Sequence, residues 1–282
     1  MPLHPRKPGQ VATEGDDIVL GTQADDWVQG LAGDDLIVAG AGNDTILGDS
    51  LDGPRPPLRG GSPPDGVPPG NNLILAGAGA DLVNAGWGSD TVLGGAGDDM
   101  IIGYGGNLPS PTALAAYQRV DGPDLLFGGR GDDTLLGAGG SDTLVGGPGD
   151  DRLIGGYGPD LLMGGRGADV FVFHPQGFPF LVATDSGPGA AQRDVILDFG
   201  AGDDRIDLNL YRFEVAPAPA FLGAGAFTDD PGLQVRYEIV GDITLVQFVA
   251  RGNTAVGHVA LAGEIELHGA HVLSASDFIL TV

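Results

Sequence analysis

A nine-residue register runs through most of this chain and decides what it can fold into. Read in blocks of nine from Ala12, the chain gives ATEGDDIVL, GTQADDWVQ, GLAGDDLIV and AGAGNDTIL. The register restarts at Val67 with VPPGNNLIL, AGAGADLVN, AGWGSDTVL and GGAGDDMII. It restarts again at Arg119 with RVDGPDLLF, GGRGDDTLL, GAGGSDTLV, GGPGDDRLI, GGYGPDLLM and GGRGADVFV. Across these fourteen blocks the fourth position is Gly in 13, with Ala24 the exception, and the sixth is Asp in 13, with Asn72 the exception. The eighth is a large apolar residue in all of them, from Val19 to Phe171. Self-similarity at a short fixed period signals a solenoid, in which each unit buries its apolar side only by stacking on its neighbours.

Each block joins a glycine-rich turn to a short strand centred on the eighth position. Neighbouring side chains of a strand point to opposite faces, so the eighth column points inward and its neighbours outward. Two blocks complete one coil with a strand on each side, and stacked coils form a parallel β-roll that rises about 4.8 Å per coil. Seven coils would span roughly 34 Å. The 52 glycines and 21 prolines agree with this and exclude a helical bundle, which so much glycine would destabilise. No glycine-every-third register exists, which excludes collagen. A hydrophobic content of 42% argues against ordinary disorder.

Charge narrows the partners. Thirteen Lys and Arg stand against 38 Asp and Glu, a net −25, and 33 of those acids are Asp. Nucleic acid and anionic membranes demand basic patches, so the balance points instead to a polycation or to metal ions. Aspartate is the shorter acid and suits tight loops. With no cysteine, disulfides, thiolate zinc sites and cysteine nucleophiles are excluded. No run approaches 18 apolar residues, so no membrane-spanning helix is expected.

The blocks follow the template G-G-x-G-x-D-x-U-x and resemble the RTX, or haemolysin-type, calcium-binding nonapeptide repeat over residues 12–172 apart from the two interruptions. The resemblance implies multiple Ca²⁺ ions. Calcium takes six to eight oxygens in a forgiving geometry, and turns stacked one coil apart can offer carbonyls from both coils plus the sixth-column carboxylate. The candidate ligands are Asp17, Asp26, Asp35, Asp44, Asn72, Asp81, Asp90, Asp99, Asp124, Asp133, Asp142, Asp151, Asp160 and Asp169. Backbone carbonyls of turn residues such as Gly33, Gly42, Gly79, Gly97, Gly131, Gly149 and Gly167 join them. If blocks n and n+2 share an ion, there are eight such pairs within the three runs and twelve if the roll continues across the interruptions. Fifth-column aspartates such as Asp16, Asp34, Asp98, Asp132 and Asp150 are expected in solvent, where they strengthen the local field. The ninth column is apolar in 12 of 14 blocks, and strand propensity plus cover from the rest of the chain is the plainer reading, a sticky face for a partner the alternative.

The interruptions, placed at residues 48–66 and 103–118, differ in character. The first is rich in Pro and Gly and reads as an irregular loop. The second contains Ser110-Pro111 followed by TALAAYQ, which predicts one or two helical turns. Residues 1–11 read as a tail without an apolar signal-peptide core. From residue 174 to 282 the nonapeptides stop. DVILDF (194–199) and GDDRIDL (202–208) alternate as half-buried strands do, and Leu233–Ile239 with Ile243–Ala250 reads as a hairpin joined by Val240-Gly241-Asp242. Further strands are expected near Val256–Leu261 and at the end of the chain. The fold class expected is all-β: a parallel β-roll followed by an antiparallel β segment that caps it.

The run from Ala168 to Phe173 through DVILDF and GDDRIDL to Asp277-Phe278-Ile279-Leu280 is similar to the C-terminal domain of serralysin-type proteases and to the R-modules of alginate epimerases. That resemblance implies export through a type I secretion channel, which reads an uncleaved C-terminus, and an extracellular protein. Thr281 and Val282 extend beyond the usual ending. Catalytic motifs are missing. None of the five histidines, His4, His174, His258, His268 and His271, begins HExxH, and none of the eight serines sits in GxSxG. The glycine-rich strings belong to the repeats and follow no strand-to-helix unit, so no dinucleotide site is expected. The expectation is therefore not an enzyme but a secreted calcium-binding module that folds on binding its ions. The alternatives are an accessory module or non-proteolytic relative of a polysaccharide-active enzyme such as an alginate epimerase, with a polysaccharide partner, and a surface-layer, matrix or adhesion component.

Overall fold

The computed structural model describes residues 12–13, 15–49, 70–104, 122–173, 189, 192–200, 203–208, 219–230, 232–251 and 260–280. The first run of repeats forms β1 (Ile18–Leu20), β2 (Trp27–Leu31), β3 (Leu36–Ala41) and β4 (Thr45–Asp49). The second forms β5 (Leu73–Ala78), β6 (Leu82–Gly86), β7 (Thr91–Ala96) and β8 (Met100–Tyr104). The third forms β9 (Leu125–Arg130), β10 (Thr134–Gly139), β11 (Thr143–Pro148), β12 (Arg152–Tyr157), β13 (Leu161–Arg166) and β14 (Val170–Val172). Odd strands build one parallel sheet and even strands the other, so each block pairs with the block two further on. The register does not slip: Ile18 pairs with Leu36, Leu36 with Leu73, Leu73 with Thr91 and Thr91 with Leu125. Both interruptions are bridged, β3 pairing with β5 and β7 with β9.

The eighth column forms the core. Ile37, Ile46, Ile74, Val83, Val92, Ile101, Leu126, Leu135, Leu144, Leu153, Leu162 and Phe171 are fully buried, in two rows that face each other between the sheets. The ninth column is mostly half-covered, with Leu20 and Leu93 exposed and Gln29 and Val172 buried. The strands run on through Gly48–Asp49 and Gly103–Tyr104, so each departure begins two residues later than the sequence suggests. Gly48 and Asp49 fill the first two columns of a block whose fourth column is Gly70, and Gly103, Tyr104 and Gly122 do the same. Each insertion thus replaces a single third-column residue, in a turn that leads from the even sheet to the odd one. The segments 50–69 and 105–121, including the helical turns expected after Ser110, lie outside the described residues.

The parallel ladders do not stop with the nonapeptides. β15 (Asp194–Ile196) pairs in parallel with β13, and β16 (Arg205–Asp207) pairs in parallel with β14. DVILDF and GDDRIDL therefore extend the roll by one coil rather than opening the antiparallel segment, because an Asp two residues before a buried Ile satisfies the same ladder. The antiparallel segment expected further on is present. β17 (Ala220–Phe221) lies beside β18 (Gly232–Val240), which forms a hairpin with β19 (Ile243–Arg251), and β19 pairs with β20 (Ala260–His268). β20 joins β15 in parallel, and β21 (Phe278–Ile279) joins β16, so both sheets continue past the last coil into the C-terminal segment. Leu233, Val235, Val246, Phe248, Ile265 and Leu267 continue the hydrophobic core of the roll. Arg193 pairs with Glu264 and Glu266 on β20, which ties the cap to the last coil. Residues 252–259, where part of the Val256–Leu261 strand was expected, lie outside the described residues. No helix among the described residues is long and apolar enough to cross a membrane.

Second-column glycines such as Gly129, Gly147, Gly156 and Gly165 hold φ between 105° and 124°. Ala138 occupies the same column with φ 79°, where a Cβ is strained. Ala138→Gly is expected to stabilise the calcium-saturated protein by about 1 kcal/mol, read as a higher urea midpoint. An unchanged or lower midpoint would show that the methyl contributes more than the backbone strain costs.

Candidate metal centre

The sixth-column residues stack into two ladders, one per edge of the roll. In each step a backbone N–H of one Asp donates to Oδ1 of the Asp one coil later. The first ladder runs Asp17, Asp35, Asn72, Asp90, Asp124, Asp142, Asp160 and Asp194, with N···O distances of 2.7–3.0 Å. The second runs Asp26, Asp44, Asp81, Asp99, Asp133, Asp151, Asp169 and Asp204, with the same range. All fourteen sequence-predicted side chains are therefore in register. The carbonyl of the same Asp accepts from the seventh-column N–H one coil on, as in Thr134 N–H to Asp99 and Leu161 N–H to Asp142. Backbone and carboxylate thus hold each turn to the next.

The second carboxylate oxygen is the unusual one. Oδ2 of Asp35, Asp44, Asp81, Asp90, Asp99, Asp133, Asp142, Asp151, Asp160 and Asp169 is buried with no hydrogen-bond partner. Each of these residues is at most 3% exposed. Oδ2 of Asp35, Asp99, Asp133, Asp142, Asp151, Asp160 and Asp169 faces the first-column glycine of its own block. At Asp35, Asp99, Asp142 and Asp151 a first-column carbonyl one coil later faces the same point, whereas Asp44, Asp81 and Asp90 have Ala39, Ala76 and Ala85 in that column. A methyl group on Gly137 would lie 2.4 Å from Asp142 Oδ2 and 2.7 Å from the Gly155 carbonyl oxygen. One on Gly146 would lie 2.3 Å from Asp151 Oδ2 and 2.7 Å from the Gly164 carbonyl oxygen. Gly94 stands in the same relation to Asp99 and Gly128, and Gly30 to Asp35 and Gly48. Buried acceptors that face each other with no donor between them are costly. A cation between them removes the cost.

Turn glycines supply further oxygens. The Gly79 carbonyl approaches Gly97, that of Gly97 approaches Gly131, that of Gly131 approaches Gly149 and that of Gly149 approaches Gly167, each so closely that a Cβ would meet it at 1.8–2.1 Å. Among the described residues no three His, Cys, Asp or Glu side chains gather as one metal cluster, so a bound ion would draw most of its ligands from the backbone. Carboxylate and carbonyl oxygens without sulfur or imidazole suit a hard cation such as Ca²⁺.

Three of the predicted ligands differ from the rest. Asp17 Oδ2 accepts from the hydroxyl of Thr13 at 2.9 Å and Asp26 Oδ2 from that of Thr22 at 2.7 Å. Each also accepts the backbone N–H of the same Thr. Thr stands there in the second column in place of Gly, so the first coil satisfies itself. Asn72 turns its Nδ2, not an oxygen, toward the carbonyl of Ala85 at 3.1 Å. Fifth-column Asp16, Asp34, Asp98, Asp132 and Asp150 are exposed, as expected. They also bind the next turn: Oδ1 of Asp98 accepts from Asp132 N–H and Oδ1 of Asp132 from Asp150 N–H. Asp194 and Asp204, which end the ladders, were missed because the nonapeptide count stopped at Val172. Gly202-Asp203-Asp204-Arg205-Ile206 keeps the fourth to eighth columns of the template and carried the signal. Asp198, whose carboxylate accepts from Gly164 and Gly165 N–H, fits no column and left none. Of the histidines, His268 ends β20 and His271 packs its ring edge-on against Phe199. His4, His174 and His258 lie outside the described residues.

Burial pushes the ladder carboxyls up in the cation-free roll. Asp35 and Asp44 rise to about 6, and Asp90 and Asp133 to about 7. Asp142 rises to about 8, with the Asp160 charge adding to desolvation. Raised folded-state values mean that the cation-free roll holds more protons than the unfolded chain. Its stability is present in full below the ordinary value of 3.8 and is lost as pH rises through 6 to 8. In chelator, the far-UV β signal is expected to persist near pH 5 and fall by pH 8. A β signal that grows with pH in chelator would contradict this.

A model of the RTX calcium-binding nonapeptide repeat matches residues 11–50, 69–101, 85–107, 120–144 and 145–173. Among solved structures, one subunit of the Azotobacter vinelandii mannuronan C5-epimerase is 26% identical, covering 56% of this chain and 88% of its own, with a TM-score of 0.35. A second subunit of that epimerase is 29% identical, covering 56% of this chain and 78% of its own, with a TM-score of 0.36. The extracellular lipase LipA of Serratia marcescens is 17% identical and covers 96% of this chain, which spans 39% of the lipase, with a TM-score of 0.32. No curated protein matches.

Proposed function

The chain carries RTX calcium-binding nonapeptide repeats between residues 11 and 173, and from that premise we propose that it is a secreted module whose roll, at neutral pH, folds only when calcium is supplied. The observation that carries this reading is the row of buried Oδ2 atoms aimed at backbone carbonyls. Calcium bound there would supply the positive charge that lets carboxylate and carbonyl oxygens share one small space.

Without it, 23 aspartates between Ala12 and Phe173 repel one another. The glycine-rich backbone adds an unusually large ordering entropy to the same side of the balance. The unfolded chain is then the stable form where calcium is scarce, which suits passage through a narrow type I secretion channel. Outside the cell, millimolar calcium matches the affinity of extracellular modules, about 10⁻⁴–10⁻³ M. Binding and folding become one transition, in which the ladder aspartates from Asp35 to Asp169 act as ligands together with the turn carbonyls. Eight to twelve ions correspond to the block pairs of residues 12–173. That segment, with the further coil of β15 and β16, is the ion-built body, and the strands from β17 onward are its cap, with the export signal in the C-terminal residues.

Far-UV circular dichroism against calcium, with magnesium as control, tests the reading. A steep, calcium-specific gain of β signal is expected at neutral pH. A folded spectrum in chelator at that pH, or an equal response to magnesium, would overturn it. Gly137→Ala puts a methyl between Asp142 and Gly155 and is expected to raise the calcium midpoint about fivefold. An unchanged midpoint would remove this cradle from the set of ion sites.

A further inference from the structure

One rung of the ladder is built differently from its neighbours. Resting on the calcium reading above, we infer that the rung at Asn72 excludes calcium, because its own amide stands where the ion would stand. At Gly30, Gly94, Gly137 and Gly146 the cradle between first-column residues holds two acceptors: a methyl on Gly137 would meet Asp142 Oδ2 and the Gly155 carbonyl. At this rung a methyl on Gly48 would meet the Ala85 carbonyl and, at 2.8 Å, Asn72 Nδ2. The acceptor has been replaced by a donor at the same point of the coil. Nδ2 donates to the Ala85 carbonyl at 3.1 Å and toward Asp49 Oδ1 at 3.4 Å. Oδ1 of Asn72 keeps the ladder bond, accepting from Asp35 N–H at 3.0 Å. The amide therefore performs both tasks of a rung, one with each end.

Asp49 completes the arrangement. It occupies the second column, where most coils have Gly, and its Oδ2 accepts from the N–H groups of Gly70 and Trp87, both at 3.1 Å. Gly70 follows the insertion of residues 50–69, and Asp49 precedes it. The carboxylate and the amide together fasten the two ends of the break to the next coil, without needing an ion to do so. Asn72 also ties in Ala85 and, through its own N–H, Asp90 Oδ1 at 2.7 Å. A site that had to wait for calcium would leave the widest gap in the first half of the roll open. An amide closes it whenever the neighbouring coils form.

The test is the number of calcium ions bound at saturation by equilibrium dialysis, with far-UV circular dichroism on the same samples. Wild type, Asn72→Ala and Asn72→Asp are compared. Asn72→Ala is expected to bind as many ions as wild type, and Asn72→Asp one more. Asp is what every other rung carries, so Asn72→Asp folds whenever the rest of the roll does. Loss of one ion in folded Asn72→Ala, or no gain in Asn72→Asp, would overturn the inference while leaving the calcium reading intact. Should wild type bind no calcium, the calcium reading itself falls, and this inference with it.

Discussion

Everything in this molecule depends on oxygen facing oxygen. At most steps of the ladders a buried carboxylate oxygen has no hydrogen-bond partner, and at Asp35, Asp99, Asp142 and Asp151 it looks at a backbone carbonyl one coil away. Such a contact is tolerable only if a positive charge sits in it or if the carboxyl keeps its proton. First-column glycines such as Gly30, Gly94, Gly137 and Gly146 permit the approach, since a Cβ there would fill the gap. The apolar eighth column then profits, because turns held at one spacing keep its side chains in two continuous rows. Hydrophobic burial gives the roll a core, but the turns decide whether the core can assemble.

Most of this was legible in the residues. Three nearly invariant columns specified the strands, the direction of each side chain and the position of the ladder carboxylates, because a solenoid repeats its environment as strictly as its sequence. The ninth column also behaved as strand geometry requires. What escaped was whatever broke the repeat's length while keeping its chemistry. Asp194 continues its ladder with only an Asp, one spacer and a buried Ile to show for it, and Asp204 with only the five-residue fragment Gly202 to Ile206. Gly48 and Asp49 stay in the roll although the nine-residue count ends at Leu47. A count of nine residues sees period, whereas the fold responds to the donor and acceptor at each turn.

The first coil, the Asn72 rung and the C-terminal end show three local ways of doing without a cation. Thr13 and Thr22 offer a hydroxyl and an N–H to the carboxylates of Asp17 and Asp26. Asn72 offers its amide. At the last coil, Gly200 N–H donates to Asp204 Oδ2 at 2.8 Å. These lie at a start, at one of the two breaks and at an end. Exceptions to the template are thus chemical substitutions with a common purpose. The antiparallel cap serves the same purpose for the sheets, covering the last coil with strands that share its core.

The position of the insertions has a consequence of its own. Each enters a turn in place of one third-column residue, and each leaves from the even sheet and returns to the odd one. The axial advance of the roll, about 4.8 Å per coil, is set by strand spacing and is indifferent to what a turn carries. Sequence length and physical length are therefore uncoupled along one edge, while the opposite edge of the repeats keeps its uniform six-residue turns. The roll works as a ruler with one graduated side and one side free for attachment, on which evolution can hang segments of any size without moving a single mark.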